Sequence, residues 1–172
     1  LTVSLERLEN ISSHNVVRIG LSATVGNLKD AANFISGANR KCAILVDNTI
    51  RKYDIDVKYL KGSISNVAKF VIKYLKDNKI CGSILLFTNT RDEAEYIGTT
   101  IRNLNDVPIE VHHGSLSRET REETEIKLRD GLTSIVVCTS SLELGLDIGS
   151  VELVIHYGSS KQVSKLIQRI GR

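Results

Sequence analysis

Apolar positions along the chain alternate between two patterns. Val16–Leu21, Cys42–Val46, Ile55–Leu60, Ser83–Phe87, Ile109–His112, Ser134–Cys138 and Val151–His156 are apolar runs of strand length. Between them, Ile64, Val67, Ala68, Val71, Ile72 and Leu75 recur at helical spacing. Ala94, Ile97, Ile101 and Leu104 do the same behind Thr90 and Glu93, spaced as a capping box. The segment 118–130 is read as helical on other grounds. It pairs Glu123 with Lys127 and Glu125 with Arg129 at i,i+4, and has little apolar face beyond Ile126 and Leu128.

Strands alternating with helices predict an α/β fold with a parallel sheet flanked by helices. The polar stretch from Asp47 to Asp54 separates two of the runs and reads as a linker. The residues before it form too few elements to close a core alone, whereas 55–172 carry a full βα array.

Composition narrows this picture only modestly. Aromatic residues are scarce and Trp is absent, which suits a core of Val, Ile and Leu. The net charge of +3, from 23 basic and 20 acidic residues, neither demands nor excludes a nucleic-acid partner. Cys42, Cys81 and Cys138 are widely spaced, with no CxxC pair. Cys42 and Cys138 lie in apolar runs and read as packing residues, and the odd count suggests a reducing, intracellular setting, cytoplasmic or nucleoid-associated. No apolar run approaches the ~18 residues of a membrane-spanning helix, so no membrane partner is expected. The start at Leu1, the end at Gly171-Arg172 and the absence of Met read as an excised piece.

Candidate chemistry sits directly after the strand-like runs. Thr88-Asn89-Thr90-Arg91, His112-His113-Gly114-Ser115 and Thr139-Ser140-Ser141 each follow one. In an open parallel sheet the carboxyl ends of the strands share an edge, and ligands bind there. Each cluster taken alone reads as an ordinary helix cap. Three on one edge favour a shared ligand, and short hydroxyl and amide side chains suit a sugar-phosphate backbone. The two adjacent histidines lack Cys, Asp or Glu partners at metal-ligand spacing, so no metal site is assigned.

Taken in order, Leu-Ser-Ala-Thr (21–24), Ile-Leu-Leu-Phe-Thr-Asn-Thr (84–90), His-His-Gly-Ser (112–115), Thr-Ser-Ser-Leu-Glu-Leu-Gly-Leu-Asp (139–147) and Gln-Arg-Ile-Gly-Arg (168–172) resemble the successive motifs of superfamily 2 helicases. Residues 141–149, with Ser-Leu-Glu-Arg-Leu at 4–8, look most like the large helicase-related (Lhr) group, and Ski2-like and Hel308-like helicases come second. The resemblance implies that residues 1–47 end a first RecA-like domain, 48–54 link, and 55–172 form a second RecA-like domain truncated at its last motif.

It also implies roles. Ser22, Ala23 and Thr24 resemble the segment coupling hydrolysis to domain closure. Asn89, Thr90, Arg91, His113, Gly114, Ser115, Thr139 and Ser140 resemble contacts to the nucleic-acid backbone. Gly145 and Asp147 resemble nucleotide contacts, with Asp147 at the ribose. Gln168 and Arg172 resemble the γ-phosphate sensor and arginine finger. The implied cofactors are ATP and Mg²⁺, and the implied partners are single-stranded DNA or RNA, tracked 3′ to 5′, and the missing first RecA-like domain.

The departures carry equal weight. No Gly-x-x-x-x-Gly-Lys-Ser/Thr occurs, and Asp92-Glu93-Ala94-Glu95 fits the first turn of a helix rather than an acidic Mg²⁺ box. Leu144 stands where many relatives carry Arg. This chain alone is therefore expected to lack ATP hydrolysis. Tyr157 near a strand end reads as packing. Two other function classes stay open: a non-catalytic nucleic-acid-binding or scaffold module, and a double-strand translocase of the remodelling or restriction type.

Overall fold

The computed structural model describes residues 1–22, 24–37, 40–47, 53–104, 106–143 and 151–171. Of the candidate site residues, Ala23, Gly145, Asp147 and Arg172 lie outside the described residues, as does Leu144. The chain divides into two compact units, Leu1–Tyr53 and Asp54–Arg172.

The first unit contains helices α1 (Thr2–Ile11) and α2 (Leu28–Ser36). Asn27 caps α2 by accepting hydrogen bonds from the Lys29 and Asp30 amides. Arg18 joins the two helices. Its guanidinium donates to Glu6 at 2.8 Å and Glu9 at 3.0 Å on α1, and to the Ile35 and Ser36 carbonyls at the end of α2, both at 3.2 Å. Arg40 also pairs with Glu9. A cation there satisfies carbonyls that the last helical turn leaves free. The apolar pattern does not reveal α1, because it buries no residue fully and is held by its carboxylates.

The second unit holds α3 (Ser65–Asp77), β1 (Ser83–Phe87), α4 (Arg91–Leu104), β2 (Ile109–His112), α5 (Arg118–Arg129), β3 (Ile135–Cys138), β4 (Val151–His156) and α6 (Val163–Ile170). The four strands are all parallel, in the order β2-β3-β1-β4. Alternate side chains on β1 serve opposite faces. Ile84 and Leu86 join Val67, Val71, Ala94, Ile97 and Ile101 from α3 and α4, whereas Leu85 and Phe87 join Val136, Cys138, Leu142 and Leu128 of α5. Both faces are covered, which is why these strands read as unbroken aliphatic runs. Cys138 is buried, as expected for packing, and burial pushes its thiol pKa up. Tyr157 packs against the α3/α4 side of the core.

Helix starts follow local chemistry. Glu93 accepts from the Asn89 and Thr90 amides at 3.1 and 3.0 Å, and its own amide donates to Thr90 Oγ1 at 3.2 Å, closing the capping box of α4. Asp92 and Glu93 occupy the first turn of α4, so the acidic run is a helix start. On α5, Lys127 pairs with Glu123 at 2.9 Å, and also with Glu110 of β2 at 2.9 Å.

Three expected strands do not form. Val16–Leu21, Cys42–Val46 and Ile55–Leu60 carry no strand assignment, and Leu21 and Leu45 are 94% and 95% exposed. An apolar run specifies burial, but a strand exists only when a neighbour pairs with its N–H and C=O groups. Among the described residues no strand lies alongside these segments. Cys42 is correspondingly exposed, contrary to the packing role expected of it.

Truncating the central strand should be costly. Leu86 is fully buried, so Leu86→Ala should lose about 3 kcal/mol of stability in urea unfolding followed by circular dichroism.

Candidate nucleic-acid and nucleotide edge

Because all strands run parallel, the segments after β1, β2, β3 and β4 emerge on one edge. The ladder extends a residue past the strands and ties these segments side by side. The Thr139 amide donates to the His112 carbonyl at 3.2 Å, Thr88 to Cys138 at 2.8 Å, and Tyr157 to Phe87 at 2.9 Å. The buried Thr88 hydroxyl adds bonds to the Thr90 and Cys138 carbonyls, at 3.0 and 3.4 Å. The expected backbone contacts are thereby brought together. Asn89, Thr90 and Arg91 follow β1; His113, Gly114 and Ser115 follow β2; Thr139 and Ser140 follow β3.

Within this edge the side chains differ in availability. Asn89, Arg91, Gly114, Ser115 and Ser140 are exposed, and Thr139 is half-buried. Thr90 is exposed too, but its hydroxyl caps α4. Arg91 Nε lies 3.3 Å from its neighbour Asp92 and leaves most of its fork to solvent. His113 is buried, with Nε2 at 2.9 Å from Glu95 and Nδ1 accepting from the Ser115 amide at 3.3 Å. Its ring nitrogens are occupied, so it shapes the Gly114–Ser115 loop from beneath.

His112 is held in the same way. Its Nδ1 is 2.7 Å from Ser141 Oγ and its Nε2 is 3.2 Å from Glu125. Burial pushes its pKa down, against the opposing pull of Glu125. Among the described residues, no cluster of three His, Cys, Asp or Glu side chains could hold a metal ion. No helix there is long and apolar enough to cross a membrane.

Gln168 lies half-buried on α6, and its neighbour Arg169 supplies the buried contact of that helix. Only 3% of Arg169 is exposed. Its Nε and Nη2 bind Glu143 Oε1 at 2.7 and 2.6 Å, its Nη1 donates to His156 Nε2 at 2.5 Å, and its guanidinium carbon lies 5.1 Å from the centre of the Phe87 ring. Burial, then the Arg169 charge, holds the His156 pKa below its ordinary value. That suits a neutral ring accepting a hydrogen bond. Arg169 thus fastens α6 to Phe87 of β1, to His156 of β4 and to Glu143 after β3. Reading the sequence missed Arg169, Glu143 and His156. The available signal was a charged residue standing at the position where α6 should turn an apolar side chain inward.

Ser22 and Thr24 belong to the first unit, where the Thr24 amide approaches Ser22 Oγ at 3.4 Å. The sequence lacks a Gly-Lys-Ser/Thr phosphate loop, and of the residues expected to meet a nucleotide the structure describes Gln168, which stands on α6 beside the Arg169–Glu143 pair.

A parallel sheet in the order β2-β3-β1-β4, covered by helices on both faces, is the RecA-like architecture of helicase C-terminal domains. The family model for the helicase conserved C-terminal domain matches residues 62–172, and the chain belongs to that family. It is Lhr-like within it. The chain is 41% identical to the ATP-dependent helicase Lhr-Core of Methanocaldococcus jannaschii, covering 100% of this chain and 21% of that protein. It is 30% identical to the Lhr helicase/uracil glycosylase of Escherichia coli, covering 100% of this chain and 14% of that one. The solved structure of the Mycobacterium smegmatis helicase Lhr, bound to ssDNA and AMP-PNP, superposes with a TM-score of 0.84 at 32% identity, over 99% of this chain and 24% of that one. The chain therefore spans 14% to 24% of the length of these relatives.

Two outcomes follow from the arginine cage. Arg169→Ala should destabilise the unit by about 3–5 kcal/mol in denaturant unfolding, because the buried ion pair with Glu143 would be broken from one side. Stability should also fall on mild acidification. The unfolded chain takes up protons at His112 and His156 more readily than the folded one. Their contribution is complete above the ordinary histidine pKa of about 6.5 and is lost as pH falls through it. The melting temperature should be level from about pH 8 to 7, drop towards pH 5, and drop less in His156→Gln.

Proposed function

We propose that this chain is a motor segment of an ATP-dependent Lhr-type helicase that moves along single-stranded DNA or RNA. In this reading residues 1–47 end a first RecA-like domain, 48–54 link, and 55–172 form the second RecA-like domain. The observation that carries it is the row of hydroxyl, amide and amide N–H groups across the carboxyl edge, in a chain of the helicase C-terminal family. Such groups meet phosphate and sugar oxygens without reading sequence, and the M. smegmatis relative is bound to ssDNA.

Asn89, Arg91, Ser115, Thr139 and Ser140 would contact the strand, with His113 and Gly114 setting the loop that presents Ser115. ATP and Mg²⁺ would be the cofactors of the intact protein, and ATP would supply the phosphoryl group whose transfer drives movement. Asp147 would meet the ribose, and Gly145 would permit close approach. Gln168 and Arg172 would face the γ-phosphate from α6 and its end. A planar guanidinium there offsets charge developing on the transferring group, and its placement on the second domain makes turnover depend on closure. Ser22, Ala23 and Thr24 would couple that closure to the first domain. The chain by itself would not hydrolyse ATP, since the phosphate loop and acidic Mg²⁺ box are absent from its sequence.

The test is strand-stimulated ATP hydrolysis by the intact protein. Stimulated turnover should fall by roughly 10³-fold or more in Arg172→Ala, with ATP binding retained in a filter or fluorescence assay. Turnover equal to wild type would remove the finger assignment. Strand binding with no turnover in either protein would favour the non-catalytic binding module, which the absent phosphate loop also allows.

A further inference from the structure

Beside the hydroxyl loops, a polar groove of about 250 Å³ opens on the same edge. Its walls come from separate segments: Asn89 after β1, Ser140 after β3, Ser160 and Lys161 before α6, and Lys165 within α6. Arg169 forms part of the lining, with its charge already met by Glu143. The uncommitted positive charge therefore belongs to Lys161 and Lys165. Among the described residues no carboxylate lines the groove, and none pairs with either lysine. Among the described residues no aromatic ring lines it either, so none of them stacks a base there.

The wall that carries Lys161 is shaped by specific contacts. Asn89 Nδ2 donates to the Ser159 carbonyl at 3.0 Å, joining the β1 loop to the β4–α6 connection. Gly158 has φ +76°, and a Cβ there would come within 3.1 Å of Asn89 Nδ2. Only glycine fits that turn without strain. Ser159 Oγ accepts from the Lys161 amide at 3.2 Å, and Ser160 Oγ donates to the Gln162 carbonyl at 3.1 Å.

We propose that this groove binds phosphodiester groups of a single nucleic-acid strand, with Lys161 and Lys165 as its charge contacts and Asn89 and Ser140 as neutral donors. It would extend the strand's path from the β3 loop past β1 to the outer strand β4. The inference rests on the proposed role of the carboxyl edge as a strand track. Ammonium groups beside amide and hydroxyl donors, with neither acid nor ring among the described lining residues, select phosphate oxygens over bases or cations.

The experiment compares the intact wild-type protein with Lys161→Gln/Lys165→Gln, with Lys161→Arg/Lys165→Arg, and with Thr139→Val. Fluorescence anisotropy of labelled oligothymidylate and oligoadenylate is followed across a salt series. The glutamine variant should bind roughly tenfold more weakly at low salt and equally so for both sequences, with the slope of log K against log[salt] shallower by about 1.4, two phosphate contacts at about 0.7 each. The arginine variant, which keeps the charges, should retain affinity and slope.

Unchanged affinity and slope in the glutamine variant, while Thr139→Val weakens binding, would overturn the groove and leave the track standing. If Thr139→Val and the glutamine variant both bind as wild type, the track falls and the groove with it. A raised KM for ATP with strand affinity unchanged would assign the groove to the phosphates of the nucleotide, and would equally overturn the proposal.

Discussion

The arrangement of the edge depends on one buried guanidinium. Arg169 is enclosed by Glu143, His156 and the face of Phe87, so three segments distant in sequence share a single side chain. A buried ion pair contributes little net stability compared with apolar packing of the same volume, yet it is costly to break from one side. Its consequence here is geometric. A leucine in its place could slide against Phe87 in several rotamers. The guanidinium fork, with its donors directed at one carboxylate oxygen and one imidazole nitrogen, admits a single placement of α6. Gln168 and Arg172 flank that anchor in the chain, and Gly145 and Asp147 follow closely after Glu143. The same contact therefore sets the bases from which both sides of the proposed nucleotide contact depart.

His156 makes this anchor conditional on its own neutrality. As an acceptor to Arg169 it must keep Nε2 free of a proton, and burial together with the adjacent positive charge favours that form. His112 is subject to the same burial on the other side of the sheet's edge, where Ser141 and Glu125 take its two nitrogens. Two histidines thus support loops without offering themselves to a ligand. His113 does likewise through Glu95 and Ser115. Imidazoles beside an edge proposed to bind phosphate are easily read as contacts, but here burial and saturated hydrogen bonding make them framework.

The sequence disclosed the second unit far better than the first, for a physical reason. In 83–156 the strands have neighbours within the chain, so an aliphatic run and a paired strand coincide. The helices α3 and α4 show their apolar spacing because they press on that sheet. In the first unit the same kind of run, Val16–Leu21 or Cys42–Val46, lacks a paired neighbour among the described residues, and periodicity carries no information about partners. Helices α1 and α6 were illegible for a related reason. Each is held through a charged contact, Arg18 onto Glu6 and Glu9 in one and Arg169 onto Glu143 in the other. Hydrophobic pattern reports burial of carbon and is blind to buried guanidinium.

The hydroxyl clusters were legible because parallel topology turns order along the chain into adjacency in space. Once strands 83–87, 109–112 and 135–138 run the same way, whatever follows each must meet at one edge. The groove beside Lys161 and Lys165 was not legible, since no motif at 158–165 marks it. It arises where a left-handed glycine turn, an asparagine amide and the anchored α6 converge. Motifs identify groups that act through their own chemistry. Concavity is a property of how separately anchored segments come to rest, and here the resting position of α6 is set by Arg169. The lysines on that helix and its approach are thus held against the edge by the Arg169 contact, so the groove proposed for the strand and the placement of Gln168 share one mechanical support.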